Sequence, residues 1–270
     1  MERINADGFT KIECFGNSYD PTSCEYIADL IRERASEELW YADFSNMFVT
    51  RGKETLPPSI RTLVASLADK PIQELHMHDN AFGPIGVDQF KEFLRTAPHL
   101  TVLSVSNTGL GPEAAATIAN SLQANEQTKL KKLRISRSRV EDNGALALAQ
   151  YFSTYDTLEY LEIKQNSIRG NASAQLANSL LPSAKTGALK LLEINDNYFS
   201  SAESLTALCT LIQEAIALEH LNIDSSNIDD IDMANQVLEA LVECQSKATL
   251  EHLSWSYDAF EMDEFVEEML

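Results

Sequence analysis

Apolar residues recur along the chain in one fixed pattern. Each copy has apolar residues at its first, fourth, sixth and eleventh places, and the places between them vary. Seven copies match closely and start 28 to 32 residues apart. They begin at Ile72, Leu100, Leu130, Leu158, Leu189, Leu218 and Leu250, and two looser copies begin at Phe9 and Leu39. The nine copies cover nearly the whole chain, so the sequence predicts a repeat protein.

The copy that starts at Leu100 indicates what each repeat forms. Leu103 and Val105 alternate with Val102 and Ser104, which predicts a short strand. A Gly-Pro turn follows, and residues 113–122 have apolar positions at helical spacing. One unit cannot bury its own apolar face, but stacked copies can. This is the leucine-rich-repeat signature, and it predicts an α/β solenoid of about nine repeats with a parallel sheet on the concave face and helices on the convex face.

The repeats predict a single solenoid domain over residues 1–270. Its end must present a polar outer surface, because a terminal repeat has a neighbour on one side only. The last residues are strongly acidic but keep apolar residues at helical spacing, among them Phe260 and Phe265. We therefore expect an acidic capping segment at about 258–270.

Charge and composition narrow the function classes. The chain has 41 acidic and 21 basic residues, a formal net charge of −20, which disfavours nucleic acid and favours a partner with a basic surface. No apolar run approaches the roughly 20 residues of a membrane-spanning helix, and the N-terminus lacks a signal-peptide core. We expect a cytoplasmic monomer that does not bind membranes. The four cysteines form no CxxC pair and are expected to be reduced and buried.

Motifs of self-contained enzymes are absent from the sequence, including the phosphate-binding GxxxxGK[ST] loop and the HExxH zinc motif. The chain therefore resembles a binding surface without a catalytic site of its own. His76 and His78 lie two apart on one predicted strand and face the same side. They could form a metal site with Asp79, but no third ligand is evident, so we favour two polar residues on a solvated face and expect no bound metal.

A basic stretch stands out in this acidic chain. Six of the eleven residues from Lys129 to Arg139 are basic. They could contact an acidic patch on a partner, or they could balance neighbouring charges such as Glu159, Glu162 and Glu193. The sequence gives the two interpretations about equal weight, because exposed charge pairs are common and contribute little.

The eighth place of each repeat lies where the strand turns away, and we call these nine residues the rim row. The rim row reads Gly16, Asn46, Asp79, Asn107, Arg137, Gln165, Asp196, Ser225 and Tyr257. Neighbouring strands lie about 4.8 Å apart, so Asn46, Asp79 and Asn107 are expected within roughly 10 Å. Arg51 and Lys53 follow in the loop after the second strand. At the ninth place, Asn80 is expected to hydrogen-bond neighbouring backbone.

Several of these segments resemble the Ran GTPase-activating protein family. The resemblance rests on DNAFGPIGVDQFKEFL (residues 79–94), SNTGLGPEAAATIANSL (106–122), ADFSNMFVTRGK (42–53) and RSRVEDNGALALAQYF (137–152). It covers essentially the whole chain. Thr108 and Ser138 depart from it, because the family tends to have asparagine at both places, and the rim turns beside them are expected to be less well braced.

The resemblance implies a function. Members of that family bind Ran in its GTP state, with or without an accessory Ran-binding protein, and speed GTP hydrolysis without an arginine finger. A rim asparagine orients the GTPase's own glutamine, and the matching residue is Asn107. Arg51 matches a second catalytic residue and Lys53 a nearby lysine, and Asp79 offers Arg51 a counter-charge. GTP and Mg²⁺ would belong to the GTPase, so this chain would need no cofactor.

Two hypotheses follow from the sequence. In the first, the protein is a GTPase activator with Asn107 and Arg51 as catalytic residues and Lys53, Asn46, Asp79, Asn80 and Arg137 as partner-binding residues. In the second, it is a non-catalytic scaffold that binds proteins through its concave face. The absence of enzyme motifs and the basic stretch motivate the scaffold hypothesis.

Overall fold

The computed structural model describes residues 8–16, 18–48, 52 and 54–256. Its nine strands form one sheet in chain order, and every neighbouring pair is parallel. The strands are β1 (Lys11–Glu13), β2 (Tyr41–Asp43), β3 (Glu74–His76), β4 (Val102–Ser104), β5 (Lys132–Arg134), β6 (Tyr160–Glu162), β7 (Leu191–Glu193), β8 (His220–Asn222) and β9 (His252–Ser254). This sheet confirms the predicted α/β solenoid.

A helix follows each of the first eight strands, and a second helix follows β6. The helices are α1 (Pro21–Arg34), α2 (Leu56–Ala65), α3 (Gly83–Thr96), α4 (Gly111–Gln123), α5 (Glu141–Phe152), α6 (Gly170–Ser179), α7 (Leu181–Thr186), α8 (Ala202–Glu214) and α9 (Ile231–Glu243). None of the helices in the described residues is both long and apolar enough to cross a membrane. The predicted acidic capping segment at about 258–270 lies outside the described residues.

The register of the sheet follows from the apolar residue in the middle of each strand, which is leucine in β3 to β9. Leu75 pairs with Leu103, Leu103 pairs with Leu133, and all three side chains are fully buried. Because side chains alternate along a strand, the first and third residues lie on the opposite, open face of the sheet. The same register aligns the rim row along one edge of the sheet.

Helix α4 shows how neighbouring repeats pack against one another. Ala115, Ile118, Ala119 and Leu122 form its buried face, as the spacing predicts. Helix α5 approaches so closely that a Cβ atom on Gly144 would lie 2.8 Å from the Cβ of Ala115. Small residues at these places therefore let neighbouring helices pack tightly, and this packing fixes the spacing of the strands.

The four cysteines are free in the structure. Cys24 and Cys244 are buried, as predicted, whereas Cys14 and Cys209 are only partly buried. Burial raises the pKa of Cys14 and of Cys209 to about 11. Both thiols are therefore protonated at neutral pH, the less nucleophilic form of cysteine.

Candidate functional site

Residues of the rim row share one unusual backbone conformation. Asn46, Asp79 and Asn107 have φ angles of 54°, 57° and 55°, in the left-handed region. Asn and Asp tolerate this region better than other non-glycine residues, which explains their frequency at the eighth place. The same conformation occurs at Gly16, Arg137, Gln165, Asp196 and Ser225. The left-handed turn ends each strand and directs the next residues toward the following helix.

Asn80 braces the rim from inside. Its Oδ1 accepts from the backbone N–H groups of Met47 (2.8 Å) and Phe48 (3.1 Å), and its Nδ2 donates to the carbonyls of Phe44 (2.8 Å) and Met77 (2.9 Å). The side chain is fully buried. The predicted backbone bonds are confirmed, but Asn80 is not placed to contact a partner, because its amide is enclosed and fully used.

Thr108 and Ser138 give less bracing than Asn80 does. Their hydroxyls donate to the carbonyl of Val105 at 2.7 and 3.1 Å, and they accept no hydrogen bond from any described residue. By contrast, Asn166 accepts from the backbone of the preceding turn, at Ser138 and Val140. The turns that carry Asp79 and Asn107 therefore receive no asparagine side chain from the following repeat to accept their backbone N–H groups. The sequence predicts this weaker bracing.

Asn107 lies exposed on the rim and is held from one side. Its Nδ2 donates to Oδ1 of Asp79 at 2.7 Å, and its backbone N–H donates to the carbonyl of Ser136 at 2.8 Å. Within the described residues, nothing donates to its carbonyl Oδ1. The side chain therefore has a fixed position and an acceptor atom still available at the surface.

Asp79 joins Asn107 to the next side chain in a short chain of hydrogen bonds. Its second oxygen, Oδ2, lies 2.9 Å from Nδ1 of His78. Burial alone would raise the pKa of the Asp79 carboxyl, but the hydrogen bonds from Asn107 and His78 and the charge of Arg137 lower it. Asp79 is therefore ionised at neutral pH and can act as an acceptor only.

The predicted cations of the site are only partly described. Arg51 and Lys53 lie outside the described residues, so the salt bridge between Arg51 and Asp79 stays a prediction. Arg137 is exposed beside Asp79 and makes no ion pair within 4 Å among the described residues. Arg137 thus has its charge available to a partner. Asn46 is exposed on the rim as well, one repeat before Asp79.

A surface cavity of about 460 Å³ opens beside Asn107. Its apolar part comes from Leu56, Phe82 and Ile85, and two arginines, Arg137 and Arg139, line it as well. Ile85 is 46% exposed. The cavity gives this part of the rim an apolar pocket bordered by positive charge. Arg139 was not among the predicted site residues, although it belongs to the basic stretch.

Two other cations of the basic stretch are paired with carboxylates within the protein. Lys131 contacts Glu159 at 2.9 Å, and Arg134 lies 3.5 Å from Glu162. Arg134 also donates to the hydroxyl of Tyr160 at 3.2 Å. The interpretation as internal charge balance therefore holds for Lys131 and Arg134, while the two arginines at the rim remain candidates for partner contacts.

The two histidines contact different carboxylates. Nε2 of His76 lies 3.2 Å from Glu74 on the open face of the sheet, whereas His78 contacts Asp79 at the rim. In the part of the chain that the structure describes, no group of three or more His, Cys, Asp or Glu residues could hold a metal ion. The geometry therefore favours two separate polar contacts over a shared ligand pair.

Comparison with known proteins agrees with the predicted repeats. Residues 96–119 and 126–149 match the family described as Leucine Rich repeat. A Drosophila melanogaster Ran GTPase-activating protein is 34% identical over 61% of this chain and 29% of its own length. Ran GTPase-activating protein 1 of Saccharomyces cerevisiae is 27% identical over 80% of this chain and 55% of its own length. A solved internalin from Listeria monocytogenes covers 92% of this chain and 82% of its own, at 16% identity and a TM-score of 0.44.

These findings define the class of the protein. The nine-stranded parallel sheet with its repeated helices makes it a leucine-rich-repeat protein. Within that class, its sequence is similar to those of Ran GTPase-activating proteins from several organisms. The chain spans about half or less of the length of these curated relatives.

Proposed function

We propose that this protein binds Ran in its GTP state through the rim of repeats two to five and stimulates GTP hydrolysis. The observation that carries the proposal is the exposed amide of Asn107, held by Asp79 at the edge of a pocket. The names of the relatives support Ran as the partner. The two rim arginines offer positive charge to an acidic segment of the GTPase.

The chemistry of GTP hydrolysis explains how such an amide can contribute to the rate. Phosphoryl transfer to water is accelerated mainly by positioning and by electrostatic stabilisation. A GTPase with a poorly ordered glutamine hydrolyses GTP slowly, because that glutamine must orient the attacking water. An amide on the activator can pair with the glutamine amide and hold it in place. Asn107 supplies this amide, while GTP and Mg²⁺ are bound by the GTPase.

The remaining rim residues would bind and orient the partner. Arg51 and Lys53 follow the second strand, and we propose that both contact the GTPase, with Arg51 also supporting the transition state. Asn46 and Arg137 extend the contact on either side of Asp79 and Asn107. The formal charge of −20 favours encounter with a basic surface, so association should slow as salt is added.

Single-turnover hydrolysis by GTP-loaded Ran tests the proposal directly. We expect this protein, in excess, to raise the rate at least about 100-fold above the intrinsic rate of Ran, the usual contribution of one preorganised hydrogen-bonding group. A rate that stays at the intrinsic value at every protein concentration would refute the proposal. A pull-down with Ran in its two nucleotide states is the companion measurement. Equal binding to both states would favour the scaffold hypothesis.

A further inference from the structure

We propose that Asp79 is a positioning residue that fixes which end of the Asn107 amide faces the partner. This inference rests on the proposed function and adds to it the orientation of the Asn107 amide. Asp79 would hold the NH₂ group and leave the carbonyl oxygen pointing outward. The activator would then offer the glutamine of the GTPase an acceptor at a fixed place.

The contact distance and the chemistry of the carboxylate together determine this orientation. Nδ2 of Asn107 lies 2.7 Å from Oδ1 of Asp79, a short distance typical of a charge-assisted hydrogen bond. An ionised carboxylate has no donor, so it can bond only to the NH₂ end of the amide. A half-turn of the amide would bring its carbonyl oxygen against the carboxylate oxygen. Two acceptors would then face each other, so the flipped state is strongly disfavoured.

Asp79 is itself held by two contacts besides the one to Asn107, which makes it a suitable anchor. His78 contacts its second oxygen at 2.9 Å, and its backbone N–H donates to the carbonyl of Ser106 at 2.9 Å. Asp79 and Asn107 also occupy the same rim position of adjacent repeats, with nearly equal φ angles. The neighbouring strands therefore fix the spacing of the two side chains before any partner binds.

The fixed orientation of Asn107 sets the direction of the amide pair with the GTPase. With its carbonyl outward, Asn107 accepts a hydrogen bond from the NH₂ group of the glutamine. The carbonyl oxygen of the glutamine is then turned away from Asn107. It can accept a hydrogen bond from the attacking water and orient that water for attack. The reverse direction would present the NH₂ group of the glutamine to the water and would not help to orient it as an attacking nucleophile.

The variant Asp79→Asn separates this role from folding. Asparagine has nearly the same shape and tolerates the left-handed conformation, but it can also donate, so both orientations of the Asn107 amide become available. We expect the maximal stimulated rate to fall about tenfold, the scale of one charge-assisted hydrogen bond, while the half-saturating concentration changes less than about threefold. Asp196→Asn, at the same rim position of a distant repeat, is the matched control and should retain the wild-type rate.

Two further measurements make the outcome decisive. Asn107→Gly and the double variant with Asp79→Asn should have the same rate, because a residue that only positions Asn107 has no effect once the amide is gone. In NMR spectra of the free protein, one Nδ2 proton of Asn107 should be shifted downfield, and the shift should be lost in Asp79→Asn.

The possible failures can be told apart. If the wild type stimulates Ran but Asp79→Asn stimulates it equally, the role of Asp79 is overturned and the proposed function stands. Additive losses in the double variant, or an unshifted Nδ2 proton in the wild type, also overturn that role. If the wild type gives no stimulation, the proposed function falls and this inference falls with it.

Discussion

Replacing Asn107 with glycine is expected to lower the maximal stimulated rate about 100-fold, the usual cost of removing one preorganised hydrogen-bonding group from a reacting site. Glycine adopts a φ of 55° without strain, so the rim turn should keep its shape. The half-saturating concentration should change less than about threefold, because Asn107 acts mainly on the transition state. Single-turnover hydrolysis at varied activator concentrations measures both quantities.

Ser225→Gly provides the matched control for this experiment. Ser225 has the same rim position, a φ of 49° and an exposed side chain, but it lies four repeats beyond Asn107. Its replacement should leave both the rate and the half-saturating concentration unchanged. A wild-type rate in Asn107→Gly would contradict the role of the amide. Equal losses of rate in the two glycine variants would instead indicate that glycine acts by changing the rim backbone.

The second large effect concerns stability. Replacing Asn80 with alanine should lower the free energy of unfolding by about 3 kcal/mol or more, because four buried hydrogen bonds lose their partner. The backbone N–H groups of Met47 and Phe48 would then remain buried without an acceptor. Unfolding in urea, followed by circular dichroism, gives the change in free energy.

Asn46→Gly is the control for the stability measurement. Asn46 lies on the exposed rim, and its φ of 54° suits glycine, so its replacement should change the unfolding free energy by less than about 0.5 kcal/mol. A change below about 1 kcal/mol in Asn80→Ala would contradict the bracing role. Such a result would mean that water or hydrogen bonds between neighbouring strands replace those of the Asn80 amide.

The fold could be predicted because every repeat obeys the same constraint. Leu75, Leu103 and Leu133 stand at the fourth place of successive copies, and a one-residue shift would move each of them to the open face. Alignment of the copies therefore gives the strands, their register and the buried faces of the helices together. Thr108 and Ser138 could also be recognised as weak braces, since neither hydroxyl can bond as many backbone groups as an amide.

The details of the site were harder to predict from sequence. The rim row placed Asp79 beside Asn107, but charge alone suggested Arg51 as the partner of Asp79. The spacing of the repeats does not give the directions of side chains. Those directions decide which donors hydrogen-bond to the two oxygens of a carboxylate. In the structure, the described partners are Asn107 and His78.

The cavity beside Asn107 had no sequence signal at all. Leu56, Phe82, Asn107 and Arg137 come from four successive repeats, and no contiguous motif links them. The basic stretch left two interpretations open, because it combines Lys131 and Arg134, which pair internally, with rim arginines that do not. A repeat-by-repeat comparison of the rim places would have separated Arg137 from Arg134.

The central claim is that Asn107 accelerates hydrolysis by acting on the glutamine of the GTPase. Its most direct test is a double-mutant cycle across the complex, in which wild type and Asn107→Gly are each assayed with normal Ran and with Ran whose catalytic glutamine is replaced by alanine. We predict a difference of about 100-fold with normal Ran and equal rates with the substituted Ran. A difference between the two activators that persists at the same size without the glutamine would contradict the claim.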